Sequence, residues 1–221
     1  MLHADDLWFR YDTRLPWIVR GVSLRIEDGE VVGLRGPSGT GKSTLGRLLA
    51  GFAQPDRGSV TVDGAPARPD NQARRAHPVQ LVLQHPERAV NPRWTVREIL
   101  AETGASRTDI DGLDQALVAP QWLDRFPHEI SGGELQRVNL ARALLARPRF
   151  IIADEISASL DAVTQARIWH LLLAETRSAG IGVLAISHDP PLLDVVADRT
   201  LEWADLSTIG TPELTSLEPP R

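Results

Sequence analysis

Apolar positions along this chain recur with two periods, and each period marks out a set of elements. Val22-Ser23-Leu24-Arg25-Ile26 alternates apolar and polar, as does Leu7 to Tyr11, the pattern of half-buried antiparallel strands. Val60-Thr61-Val62 before Asp63-Gly64 reads as a further strand and a tight turn. Short apolar runs at Glu30–Leu34, Gln80–Leu83, Phe150–Ala153 and Ile181–Ile186 suit strands of a parallel sheet covered on both faces. Helical spacing appears in Leu45, Leu48 and Leu49, stopped by Gly51. It returns in Leu135, Val138, Ala141, Leu144 and Leu145, stopped by Arg147-Pro148, and again from about Val163 to Ser178. From Gln84 to Ser131 the character changes: prolines 86, 92, 120 and 127 punctuate short helical pieces such as Val96–Leu100. The pattern predicts one α/β domain over 1–205 with a parallel core sheet and an N-terminal antiparallel β subdomain. A small helical subdomain is inserted at about 85–135, and a loosely ordered tail occupies 206–221.

Between the strand at Glu30–Leu34 and the first helix lies Gly36-Pro37-Ser38-Gly39-Thr40-Gly41-Lys42-Ser43-Thr44. It fits G-x-x-x-x-G-K-[ST], and the required strand and helix flank it. The glycines let backbone N–H groups turn toward an anion, and the helix N-terminus adds its dipole. In such a cradle Lys42 reaches the β- and γ-phosphates and the Ser43 hydroxyl sits on Mg²⁺. Lys42 is the one lysine among 24 Lys and Arg residues. The chain uses arginine wherever else it needs a cation, but a phosphate cradle calls for a compact ammonium on a flexible stem.

Asp154-Glu155 ends a buried strand, at the edge where open α/β sheets bind ligands. Asp154 is placed to hold Mg²⁺, and Glu155 to orient and deprotonate an attacking water. Ser131-Gly132-Gly133 opens a helix and admits two compatible readings. It is a second anion site through free N–H groups, or a plain cap in which Ser131 and Glu134 form a capping box; local physics favours the cap.

Composition narrows the classes. Hydrophobic content is 42% and charged content 24%, ordinary for a globular domain. A net charge of −5 gives no footprint for nucleic acid. The absence of cysteine excludes disulfides, thiol nucleophiles and thiolate metal sites, and fits a reducing cytosol. The acidic start Met1–Asp6 has no secretory pattern, and no stretch is apolar for long enough to cross a bilayer. The expected location is therefore cytoplasmic, with any membrane role exercised through a partner.

Taken in order, the phosphate loop, Gln84, Ile130-Ser131-Gly132-Gly133-Glu134-Leu135-Gln136-Arg137, the Asp154-Glu155 strand, Ser159-Leu160-Asp161 and His188 resemble an ABC-type ATPase cassette. The resemblance covers roughly Leu2 to Asp205. It implies a P-loop NTPase fold, ATP as the nucleotide and Mg²⁺ as the metal. By the same resemblance Tyr11 stacks on adenine, and Gln84 touches Mg²⁺ and the attacking water. Ser131 to Gly133 clamp the γ-phosphate held by an opposite protomer, Asp161 works between protomers, and His188 contacts the γ-phosphate. Glu134 stands where the family more often has glutamine, the helical insert is shortened, and Leu201–Leu206 lacks the usual glycine turn.

Asn91-Pro92-Arg93 soon after Gln84, then Thr95-Val96, is similar to the nickel, dipeptide and oligopeptide importer branch. That implies transmembrane permease subunits, a second ABC ATPase subunit (identical or paralogous), a solute-binding protein acting indirectly, and a peripheral seat on the inner face of the membrane. Val90 and Trp94 either form an apolar patch for the permease or pack the helical insert. The alternative function is a non-transport ABC ATPase acting on nucleic acid or ribosomes. It is disfavoured because Lys42 to Ser131 leaves no room for coiled coils and one chain carries one cassette. A GTPase would need Asn-Lys-x-Asp, which a chain with one lysine, Lys42, cannot contain. Lys42→Ala is expected to reduce both nucleotide affinity and turnover; an ATPase assay returning the parent rate would contradict the loop's assignment.

Overall fold

The computed structural model describes residues 1–67, 76–158 and 160–206; the anticipated tail therefore lies, apart from Leu206, outside the described residues, as does Ser159. The chain opens with β1 (Leu2–Phe9) and β2 (Val19–Ile26), antiparallel, with Leu2 opposite Ile26. β3 (Val31–Arg35) then leads through the glycine loop into α1 (Lys42–Leu49). β4 (Arg57–Val62) and β5 (Ala65–Pro66) complete an antiparallel sheet of order β2-β1-β4-β5. Asp63 and Gly64 join them with φ of 52° and 76°, the double left-handed turn that Asp-Gly favours.

The second sheet is parallel, of order β6-β7-β8-β3-β9. β6 (Val79–Leu83) is followed by a 3₁₀ turn at Pro86–Arg88, α2 (Val96–Ala101), α3 (Arg107–Asp111) and two further 3₁₀ turns that begin at Pro120 and Pro127. α4 (Gly132–Leu145) returns the chain to β7 (Phe150–Asp154), and α5 (Ala162–Ala179) to β8 (Gly182–Ile186). α6 (Pro190–Val196), β9 (Arg199–Glu202) and α7 (Trp203–Leu206) finish the described chain.

The side-chain period of two divides the parallel sheet between two cores. Phe150, Ile152, Leu184, Ile186, Val32 and Leu34 join α1 and the antiparallel sheet. Ile151, Ala153, Val183, Ala185 and Val31 join α4, α5 and the short helices after β6. Both faces are thus covered, which is why these strands read as unbroken apolar runs.

Three details depart from the sequence reading. β1 ends at Phe9, so Tyr11 stands beyond the strand, its ring edge-on to Phe9 at a centroid distance of 5.0 Å. β9 and α7 occupy the stretch noted only for lacking a glycine turn; β9 carries one aliphatic residue in four and is made a strand by pairing with β3. Val90 is not a docking residue. It is 9% exposed and packs in the core with Val96, Ile99 and Leu100, because the turn at Pro86–Arg88 and an Arg142-to-Ala89 hydrogen bond fold the segment back onto α4. Trp94, at 37% exposure, remains partly open.

A tight joint lies at Gly182, where a Cβ would lie 2.5 Å from the Phe150 ring and 2.7 Å from the Glu27 carbonyl oxygen. Gly182→Ala is expected to cost about 1–3 kcal/mol of stability through overpacking, read from the urea midpoint at unchanged slope.

Candidate functional site

In the parallel sheet, Leu83, Asp154, Ile186, Leu34 and Leu201 fall in one row across the five strands. The segments that leave the strands therefore emerge along a single edge: Gln84, Glu155, Ser187-His188, and the glycine loop after Arg35. Ligands of open α/β sheets bind at this carboxyl edge.

The loop is built around an uncapped helix. Gly41, at φ 116°, is the N-cap of α1 and supplies no side chain to the first-turn N–H groups, which stay available to an anion. Lys42 folds back over the loop, its Nζ donating to the carbonyls of Gly36 (2.7 Å) and Pro37 (2.8 Å), and Thr40 Oγ1 donates to Pro37 at 2.9 Å. Burial holds the Lys42 ammonium below the usual lysine pKa, against the opposing pull of Glu155 and Asp154. Pro37, Ser38 and Gly39 face solvent, so the cradle is open in front.

Ser43 Oγ donates to Asp154 Oδ1 at 3.1 Å. Burial raises the Asp154 carboxyl above its ordinary pKa; the Ser43 hydrogen bond pulls it down and the Glu155 charge pushes it up. A hydroxyl and a buried carboxylate in contact are the oxygen donors that Mg²⁺ accepts. Glu155 is turned by a left-handed backbone (φ 51°), an arrangement that costs about 1–3 kcal/mol in a non-glycine residue. Its N–H bonds the Ile186 carbonyl at 3.0 Å, and its Oε2 lies 3.1 Å from His188 Nδ1. A cavity of about 90 Å³ opens beside this pair, lined also by Ser157, Gln165 and Trp169. Tyr11 approaches from the antiparallel sheet. Its hydroxyl lies 3.5 Å from Thr44 Oγ1 and accepts from Arg47 Nη1 at 3.1 Å, and the residue stays more than half exposed.

Ser131, Gly132, Gly133 and Asp161 form a separate group. Ser131 and Glu134 make the full capping box of α4, with the Ser131 N–H donating to Glu134 Oε2 at 2.7 Å. Asp161 caps α5, accepting from the Val163 and Thr164 N–H groups at 3.0 Å and from Thr164 Oγ1 at 2.7 Å. Gly133 abuts that cap, since a Cβ there would meet Thr164 Cγ2 at 2.8 Å. Among the described residues, no hydrogen bond or ion pair joins this group to the phosphate loop of its own chain.

Sequence reasoning missed the link between the two groups. Gln136 Nε2 donates to the Leu83 carbonyl, just before Gln84, at 3.1 Å, and Arg142 bonds the Ala89 carbonyl. α4 thus holds both ends of the segment after β6. Gln136 and Asn139 are both buried, which the apolar spacing of the helix does not reveal.

A family model described as ABC transporter matches residues 19–158, well over half of the chain. The chain belongs to the ABC transporter family. Among relatives, this ABC cassette is 38% identical over 216 residues to YkfD of Bacillus subtilis (strain 168), with 90% of this chain and 66% of the relative covered. It is 34% identical over 208 residues to the oligopeptide transport ATP-binding protein OppF of Escherichia coli (strain K12), with 88% and 62% covered. The chain thus spans about two thirds of the length of these relatives. The fold matches the dimeric structure of MJ0796, a bacterial ABC transporter cassette, with a TM-score of 0.77 at 24% identity over 91% of this chain and 94% of that one. It matches cbiO1 of Clostridium perfringens with the same TM-score, 0.77, at 23% identity over 91% and 83%.

The capping box shows what Glu134 does locally. Glu134→Gln keeps a box-forming side chain and is expected to change stability by less than about 0.5 kcal/mol, whereas Glu134→Ala loses a hydrogen bond and about 1 kcal/mol. Chemical denaturation of the two variants side by side checks this; equal losses would deny Glu134 its capping role.

Proposed function

We propose that this cassette is the ATP-binding and ATP-hydrolysing subunit of an importer. It would pair with a second cassette beneath permease subunits at the inner face of the membrane and power uptake of peptides or nickel complexes delivered by a solute-binding protein. One observation carries the reading: the in-register sheet edge brings the phosphate loop, Ser43, Asp154, Glu155, Gln84 and His188 together. The name of OppF supports a peptide cargo. No described helix is long and apolar enough to cross a membrane, which suits a peripheral subunit. Nothing favours the nucleic-acid or ribosome alternative, and the helical interval 85–135 is read as the inserted subdomain that meets the permease.

On this reading adenine lies against Tyr11, and the phosphates enter the loop from Gly36 through Thr44. Lys42 exchanges the Gly36 and Pro37 carbonyls for the β- and γ-phosphates. Ser43, Asp154 and Gln84 would hold Mg²⁺, which when bound supplies neutralising charge to the phosphates. Glu155 accepts a proton from water as the water oxygen bonds to the γ-phosphorus and the bond to the β–γ bridging oxygen breaks, releasing ADP and phosphate. His188 steadies the Glu155 carboxylate at 3.1 Å. Because Ser131–Gly133 and Asp161 make no bond to their own loop, they serve the triphosphate of the opposing cassette.

Glu155→Gln keeps the size of the side chain and removes the base. It is expected to leave ATP binding intact and to slow hydrolysis by about 10²–10⁴. In size-exclusion chromatography with ATP and Mg²⁺ it should run as a dimer. A variant that hydrolyses ATP at the parent rate overturns the role given to Glu155; a variant that stays monomeric when alone assigns the second place to a paralogous cassette.

A further inference from the structure

We propose that Trp203 is a positioning residue for the phosphate loop, setting its affinity for nucleotide from behind; this rests on the ATPase reading above. β9 runs beside β3 with Glu202 opposite Arg35, so the residue after each strand, Trp203 and Gly36, stands side by side. An ion pair between Arg35 and Glu202 fastens the two strand ends just before them. Trp203 is 8% exposed and packs in the core shared by α1 and the antiparallel sheet.

The Trp203 side chain lies along the closed side of the loop, with its Cβ beside Gly36 and the far edge of its indole beside Gly41. A Cβ on Gly36 would sit 2.7 Å from Trp203 Cβ, and a Cβ on Gly41 would sit 3.0 Å from Trp203 Cζ2. Those are the two fixed glycines of the motif. Gly41 is also pressed from another direction by Ile18, whose carbonyl oxygen would lie 2.9 Å from the same Cβ. Ile18 in turn donates its N–H to Phe9, and Phe9 carries the ring of Tyr11. Gly39, on the open side, has nothing within 4 Å of where its Cβ would be. The loop is therefore free in front and walled behind.

The wall matters because the loop's own bonds do not survive binding. In the structure Lys42 ties Gly36 and Pro37 together. To meet a phosphate, the ammonium must leave those carbonyls, and a glycine-rich segment then has more backbone freedom than any other sequence. A rigid side chain, set against Gly36 at its Cβ and against Gly41 at its ring, removes that freedom without using a polar group of the site. Preorganisation of this kind improves affinity by lowering the ordering cost of binding.

The test compares the parent chain, Trp203→Ala, Trp203→Phe and Gly182→Ala, the last a destabilised control remote from the loop. ADP affinity is measured by calorimetry, and kcat and KM for ATP by phosphate release. Trp203→Ala is expected to weaken ADP binding about tenfold and raise KM alike, with kcat at saturation within about twofold. Trp203→Phe, which restores a flat wall, should recover most of the affinity, and Gly182→Ala should bind ADP as the parent does. In 5-fluorotryptophan-labelled protein, the ¹⁹F line missing from Trp203→Phe should shift when ADP is added. Parental affinity in Trp203→Ala overturns the proposal, as does an equal loss in Gly182→Ala, which would make the effect one of general stability. If the parent chain itself does not bind ADP, the ATPase reading falls, and the proposal falls with it.

Discussion

The constraint on which this molecule depends is the register of five parallel strands. Because Leu83, Asp154, Ile186, Leu34 and Leu201 align, residues separated by more than a hundred positions in sequence leave the sheet along one line. A slip of one residue in β7 would exchange the faces of Ile151 and Ile152 between the two cores, which are filled on both sides, so the register is held by the full weight of hydrophobic burial. Site geometry is thus a by-product of core packing. Ser43 meets Asp154, and Glu155 meets His188, without any bond whose sole task is to bring them together.

The strain at Glu155 shows where that economy ends. A strand continuing straight would send the side chain after Asp154 to the opposite face. The left-handed backbone at Glu155 breaks the alternation, and the Ile186 carbonyl holds the turned amide. The same carboxyl edge leaves Asp154 buried against the Ser43 hydroxyl and Lys42 buried against carbonyls. Both are costly placements in a protein interior, of the kind that a phosphate and a cation would relieve.

Much of this was legible in the sequence. The glycine loop, the apolar strands and the Ser131–Glu134 box each carry a local signal, in spacing, period or cap chemistry, and each stands in the structure where that signal puts it. Other features had no local signal. β9 is a strand only because β3 lies beside it, and Val90 is drawn into the core partly by Arg142, far along the chain, which bonds Ala89. Trp203 was noted as a departure from pattern, but its contact with Gly36 and Gly41 depends on a strand pairing that no window of sequence contains. Gln136 and Asn139 were hidden for a similar reason: a helix buried around most of its girth does not show by periodicity which polar residues turn inward.

The solitary lysine has a consequence for handling the molecule. A lysine-specific protease has one peptide bond to cut, between Lys42 and Ser43, and in the folded chain that bond is at the first turn of a helix with the Lys42 side chain buried. Cleavage requires the turn to open, and it yields one short and one long fragment with no further products. The chain therefore carries its own gauge of local opening at the phosphate loop, readable on a gel and needing no label.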